Sequence, residues 1–552
     1  MRSNLHTSET GNPHKYRLVK KTLVLLVFPL AFGMLSLSLG RDINWDLKNY
    51  HYYNAYAFLE GRIDYDIAPA QLQTYINPLA DLSFYVLARN FPSWVVGFLL
   101  GAVHGLNISA VFLIFWKLSR IPGNSMKLLA GGIIALVSSV APGFVSELGN
   151  AMHDNLTSLF VLAALLLLLH AQDIFGGVSF FGKGILLTAL SGFILGFGVG
   201  VKPSMTIFAI SMALVFTAFQ KSWKNRFLSL FVHGIFGLAG VVTSAGFWWL
   251  EMWQRFGNPF FPFYNHIFKS PYFTSNLVIW TTFLPRTWWE YFVWPYLFSF
   301  DGYRVNQFQY TDIRFAILYT VVILWGLSCL ISRIWGKIIK QSAKKSLNFM
   351  EDGANFLLWF FGVSYFLWIR ESATYRFIIP LELLVPICFL IVVERFVPPG
   401  RSRQMLILGS AALTFVFLRP FHWGRLDWAG SYFQVDTTFL NDEGQPLVIM
   451  LGSSPTSYVV PEFPSQYRFI RPEGNLFAGR DRSPRDSRFL AEIQEILALQ
   501  EDQVYLLYDS NEPGLDLEHS LDKLGLDMNI GECICLSVNT PDALQFCLLA
   551  KP

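Results

Sequence analysis

The sequence predicts an α-helical polytopic membrane protein of about 11 transmembrane helices with a small C-terminal extracytoplasmic α/β domain. Three observations lead there. Charged residues make up only 15% of the 552 residues, where a soluble domain carries about 25%. Hydrophobic residues reach 53%, and mean hydropathy is +0.40. Apolar runs of the length that crosses a bilayer, about 20 residues, recur along the chain and cease after residue 420.

The runs cover 22–40, 94–116, 127–145, 154–171, 184–200, 203–220, 227–249, 312–332, 354–370, 375–395 and 404–419. The pair within 184–220 is broken at Lys202-Pro203 and reads as two short spans or one re-entrant hairpin. The first run, Thr22 to Gly40, ends without an A-x-A cleavage pattern, so it is expected to stay as a helix. Lys and Arg gather on cytoplasmic loops. His14, Lys15, Arg17, Lys20 and Lys21 therefore place a cytoplasmic tail at 1–21. Lys117, Arg120 and Lys127 fall on the same side, as do Lys221, Lys224 and Arg226, then Arg333 to Lys345, then Arg395 to Arg403. The expected organisation is a transmembrane domain over 22–420, with outer loops at 41–93 and 250–311, and an extracytoplasmic domain at 421–552. The expected location is the cell inner membrane, where membrane lipids surround the chain. A net charge of +3 gives no basic surface for nucleic acid.

Beyond residue 420 the apolar runs shorten. Strands are expected at Leu447–Leu451 and Gln503–Tyr508, with helices at Ser487–Leu499 and Leu517–Leu524. A hairpin is expected from Cys533–Val538 and Leu544–Leu549, turning near Thr540-Pro541. That hairpin brings Cys547 opposite Cys533 or Cys535, and an oxidising compartment permits one disulfide from Cys547.

Candidate chemistry sits at the outer ends of the spans. The segment Gly40-Arg41-Asp42-Ile43-Asn44-Trp45-Asp46 follows the first run and leads through Tyr50 and His51 toward Arg62. Read as an amphipathic helix, it carries Asp42 and Asp46 on one face, four residues apart. Such carboxylates suit a general base or a weak divalent-cation site; the bland alternative is a helix N-cap. His153-Asp154-Asn155, after Glu147, offers the same two readings. Lys202, Arg370 and Arg376 lie on the outer side against the charge bias, where a lipid phosphate would pair with them; snorkelling or an ion pair such as Arg370–Glu371 is the plainer account. His104 and Glu382, within apolar runs, read as buried polar residues. Aromatic clusters at Phe256–Asn265 and Trp288–Trp294 suit an interfacial cover or a groove for a lipid tail or sugar ring. There is no P-loop, H-E-x-x-H, G-x-S-x-G or Cys/His metal spacing, which disfavours ATP-driven transport and zinc proteolysis.

The arrangement resembles the GT-C class of membrane glycosyltransferases, in particular its bacterial members. The strings that carry the resemblance are Trp45-Asp46-Leu47-Lys48-Asn49-Tyr50-His51, Gly257-Asn258-Pro259 through Asn265, and Tyr375-Arg376-Phe377-Ile378-Ile379-Pro380. The resemblance implies a hexosyltransferase-type enzyme using a polyprenyl-phosphate sugar donor and a glycan, lipid or protein acceptor. Asp46 takes the place of the first-loop carboxylate, with Asp42 as alternative, and Asp154 that of the second. Lys202 and Arg376, with Arg370, Tyr50 and His51 beside them, fall where the class holds its donor. The first loop reads Asp-Ile-Asn-Trp-Asp, not the paired Asp-Glu typical of protein O-mannosyltransferases. The competing reading is a transporter or flippase of a lipid-linked or small polar substrate, which should carry ionisable groups at mid-bilayer in broken helices.

Overall fold

The computed structural model describes residues 13–172, 182–276, 281–334, 351–440, 443–476, 488–524 and 529–550. Part of the segment 1–21, expected as a cytoplasmic tail, and the basic connection 335–350 lie outside the described residues. Every apolar run contains a helix. In order these are Pro13–Leu37, Ser93–Leu118, Asn124–Ser139, Asp154–Ala171, Lys183–Val201, Thr206–Ala218, Trp223–Phe256, Arg314–Ile334, Glu351–Glu371, Ile379–Phe396 and Arg401–Phe417. Among the described residues, six stretches are long and apolar enough to cross a membrane: Ser93–Leu118, Asp154–Ala171, Lys183–Val201, Trp223–Phe256, Arg314–Ile331 and Tyr375–Phe396. That is fewer than the expected 11. The break at Lys202 accounts for one difference: Thr206–Ala218 has 13 residues, about 20 Å of helix against a core of about 30 Å.

The closest helix contact is a seam of small residues. Gly192, Gly196 and Gly200 recur every fourth residue on Lys183–Val201 and meet Gly237 and Ser244 of Trp223–Phe256, while Gly240 lies against the backbone of Phe193 and Phe197. A Cβ on Gly196 would fall 1.9 Å from the Gly237 carbonyl oxygen. In lipid such close approach supplies the packing that the hydrophobic effect does not. The seam ends at Lys202, and Asn77 of the first outer loop closes it by donating to Gly200 O at 3.1 Å and Ser244 O at 2.9 Å.

The segment 41–93, expected as the first outer loop, departs from the expected amphipathic helix. Arg41–Asp42 pairs antiparallel with Arg425–Leu426. Leu47–His51 forms a wide π-type turn that runs into the helix Tyr52–Leu59. Both faces of that helix are largely buried, because the tail lies over it. Tyr52, Tyr53 and Ala55 share one hydrophobic cluster with Phe433, Tyr458 and Phe469 of the tail. Arg62 donates to Asp66 at 2.7 Å and to the carbonyl oxygen of Tyr467 at 2.6 Å, while Asp66 accepts the Phe469 N–H at 2.9 Å.

The tail holds a five-stranded sheet in the order Arg468–Ile470, Leu447–Met450, Val504–Asp509, Leu544–Ala550, Asn529–Cys535. The first three strands are parallel and the last two join antiparallel. Helices Arg488–Leu499 and Leu517–Lys523 complete the α/β unit. Cys533 stands opposite Cys547 in the ladder and is bonded to it; Cys535 is a free, exposed thiol.

Candidate active site

Four side chains from four distant segments converge at one end of the helix bundle, the end expected to face outward. Asp46 precedes the Leu47–His51 turn, and its carboxylate accepts from Arg376 at 2.7 Å. Asp154 opens the helix Asp154–Ala171 and is ion-paired with Lys202. Arg376 Nε also stands 3.9 Å from the Asp154 carboxylate, so one guanidinium bridges both acids. Neither acid caps its helix: no side-chain cap hydrogen bond forms at Asp46, and Asp154 lies inside its helix with His153 at the cap position. The Phe377 ring lies 5.3 Å from Lys202 Nζ and 5.4 Å from the Arg376 guanidinium, with Trp423 on the other side of Arg376 at 5.8 Å. These aromatic walls hold the cations in place.

The local backbone explains the placement. Asn44 accepts the Leu47 N–H at 2.8 Å and donates to Asp42 at 2.7 Å, while Asp42 accepts the Ala151 N–H at 3.0 Å. Asp42 is thus not on a common helix face with Asp46. It sits in the short strand, fully buried, and braces the first loop against the second. Lys202 is extended between two helices, with φ −142° and ψ 105°. Arg376 rides on the turn Tyr375–Ile378. Tyr375 anchors that turn by donating to Glu382 at 2.6 Å and to Asp312 at 3.1 Å, beside Arg314.

Burial alone would raise the Asp46 carboxyl, but Arg376, His51 and Lys202 outweigh it and hold it below its ordinary range. Glu147 shows the reverse. It is fully buried beside Asp154, and burial with the Asp154 charge pushes its carboxyl well above its ordinary range. Burial and the Asp46 charge likewise keep the Tyr50 phenol protonated. Arg370 takes another direction: its guanidinium lies 5.6 Å from the Tyr291 ring. His104 accepts the Gly149 N–H at 3.2 Å, and Glu382 is fully buried in the Tyr375 network.

His51 joins a second cluster. Its Nδ1 lies 2.6 Å from Asp81 Oδ1, and His153 Nε2 lies 2.9 Å from the same oxygen. One ligand atom from each residue falls within 4.8 Å of the others. Two imidazoles and a carboxylate form a donor set that fits a divalent cation. Asp81 carried no local signal in sequence, because its partners are 30 and 72 positions away. A cleft of about 710 Å³ opens beside Trp45, between the first loop and the tail, with Gln71, Glu473, Glu512 and Asp516 in its walls.

No family model matches the chain, and no curated protein does. Solved structures of similar architecture exist. The crystal structure of ArnT from Cupriavidus metallidurans bound to undecaprenyl phosphate is 11% identical over 98% of this chain and 98% of that one, with a TM-score of 0.44. The oligosaccharyltransferase of Archaeoglobus fulgidus in its apo form is 12% identical over 91% of this chain and 70% of that one, with a TM-score of 0.45. The same enzyme tethered to an acceptor peptide gives 12% identity, 90% and 69% coverage, and a TM-score of 0.40. Identities this low pair no individual residues.

Proposed function

We propose that this protein transfers a sugar from a polyprenyl-phosphate donor to an acceptor hydroxyl on the outer side of the membrane. The observation that supports it most is the double pairing of Arg376, which touches both Asp46 and Asp154 while Lys202 neutralises Asp154 from the other side. Two cations side by side at a membrane surface suit a phosphate headgroup. A carboxylate kept ionised next to them suits an incoming hydroxyl.

The chemistry balances with these groups. The bond from the sugar C1 to the phosphate oxygen breaks, and its electron pair leaves with the phosphate. Lys202 and Arg376 stabilise that charge as it grows. The acceptor oxygen bonds to C1 and gives its proton to Asp46. Asp154 keeps Lys202 directed at the phosphate. The cleft lined by Trp45, the residue before Asp46, is the proposed seat of the acceptor. Asp42, Asn44 and the buried Tyr375 network fix the loops that carry the reacting groups.

The test is transfer in proteoliposomes from a polyprenyl-phosphate sugar, with mass spectrometry of copurified lipid. Wild type should retain the polyprenyl phosphate or its sugar ester. Asp46→Asn should keep the lipid and lose transfer, whereas Arg376→Ala should lose both. Full transfer by Asp46→Asn would reject the assigned base.

A further inference from the structure

We propose that His51, Asp81 and His153 bind one borderline divalent transition-metal ion, with Zn²⁺ as the best match, and that this ion ties the first outer loop to the second. Each ligand comes from a different piece of chain. His51 ends the turn Leu47–His51, Asp81 lies in the first turn of the helix Leu79–Asn90, and His153 immediately precedes Asp154–Ala171. Their ring and carboxylate atoms nonetheless converge with side-chain exposures of 3%, 1% and 14%.

The ligand types choose the metal. Two imidazole nitrogens and one carboxylate form a three-residue set that leaves coordination positions open, as in zinc sites with three protein ligands. Mg²⁺ and Ca²⁺ take oxygen ligands and would use neither histidine well. The charge pattern agrees. Asp46 is paired with Arg376 and Asp154 with Lys202, whereas the ion-pair partners recorded for Asp81 are the two histidines. Both rings crowd one carboxylate oxygen, and the other oxygen, Oδ2, is buried without a hydrogen-bond partner. An orphaned carboxylate oxygen in a buried site is costly. A bound cation removes that cost, since a carboxylate can turn either oxygen to it.

The position gives the ion a consequence. His153 is joined directly to Asp154, and His51 closes the turn that begins after Asp46. An ion held by both histidines fixes the spacing of the two acids without touching either. This makes Asp81 a ligand and a positioning residue, a role that does not depend on which group is transferred.

The test reads metal, not transfer. Full-length protein in detergent is stripped with a chelator, dialysed against Zn²⁺, Co²⁺ or Mg²⁺, and assayed for bound metal by plasma mass spectrometry and for its thermal midpoint. The expected result is about one Zn²⁺ or Co²⁺ per chain, no stoichiometric Mg²⁺, and a midpoint that rises on reloading. Asp81→Asn and His153→Ala should each lose the bound metal and the rise in midpoint. His51→Gln serves where either variant fails to fold. Cys535→Ser, which removes the exposed thiol of the tail, should bind metal as wild type does. Absence of stoichiometric Zn²⁺ in reloaded wild type, or full retention in His51→Gln and His153→Ala, would overturn the site. Equal loading by Mg²⁺ would overturn the metal class.

Discussion

Two clusters of charge lie near one another at one end of the bundle, and they are built on opposite plans. In the first, Asp312, Arg314, Tyr375 and Glu382 are almost wholly shielded. Arg314 and Asp312 have side-chain exposures of 3% and 0%, and Glu382 gathers Arg314, the Tyr375 hydroxyl and the amides of Gly143 and Phe144. In the second, Asp46 and Arg376 keep 18% and 26% exposure and Lys202 keeps 20%. The first is closed and mutually satisfied, so it holds the backbone. The second leaves its cations and one carboxylate open to an arriving molecule. The buried cluster is saturated with partners; the cluster of the proposed active site keeps a free side.

The contrast is broken most directly by Arg314→Met. It strands Asp312 and Glu382 in the interior, and an uncompensated buried charge costs about 3–5 kcal/mol. The variant should lose its folded, monodisperse peak in detergent, whereas Asp46→Asn should not. Equal loss in both would erase the distinction. In the open cluster, Asp46→Asn should lower the transfer rate by about 10²–10⁴, the range of general base catalysis, with the thermal midpoint little changed. Arg376→Gln should cost about 10²–10³ through lost charge stabilisation, measured in the same assay.

The glycine seam offers a smaller effect. Gly196→Ala pushes a methyl group into the Gly237 carbonyl and should destabilise by about 1–3 kcal/mol, read as a lower thermal midpoint. The smallest effect is a shift in pH dependence. Asp46 is held below its ordinary range, so its ionised form persists to low pH and is lost as pH falls through that depressed value. Removing the Arg376 charge raises the Asp46 pKa. The acid limb of the residual rate in Arg376→Gln should therefore move to higher pH. A limb that stays in place would separate Asp46 from the base.

Much of the fold was legible because its signals are local. Each apolar run contains a helix, and the alternation of short runs after residue 420 marked Leu447–Met450, Val504–Asp509 and Leu544–Ala550 within a residue or two. The strand Arg468–Ile470 was missed, since three residues give no readable period. Chain position put Asp46, Asp154, Lys202 and Arg376 at the ends of apolar runs, and the family resemblance grouped them; that they meet in space was not legible in the sequence. Asp42 misled because spacing of four was read as a helix, while pairing with Arg425 pulls it into a strand. Asp81 was invisible: a single Asp in the first turn of a helix looks like any other.

The sequence by itself determined that this chain forms apolar helices followed by a polar α/β tail, because hydrophobic length and periodicity act over neighbouring residues. Tertiary structure alone decided which charges meet. Asp46 and Arg376 are 330 positions apart, and Lys48 reaches Asp542 across 494. Such pairings depend on helix packing at the glycine seam and on the tail closing over the first loop; the four-residue glycine spacing marks a packing face without naming its partner, and no local pattern encodes the closure of the tail.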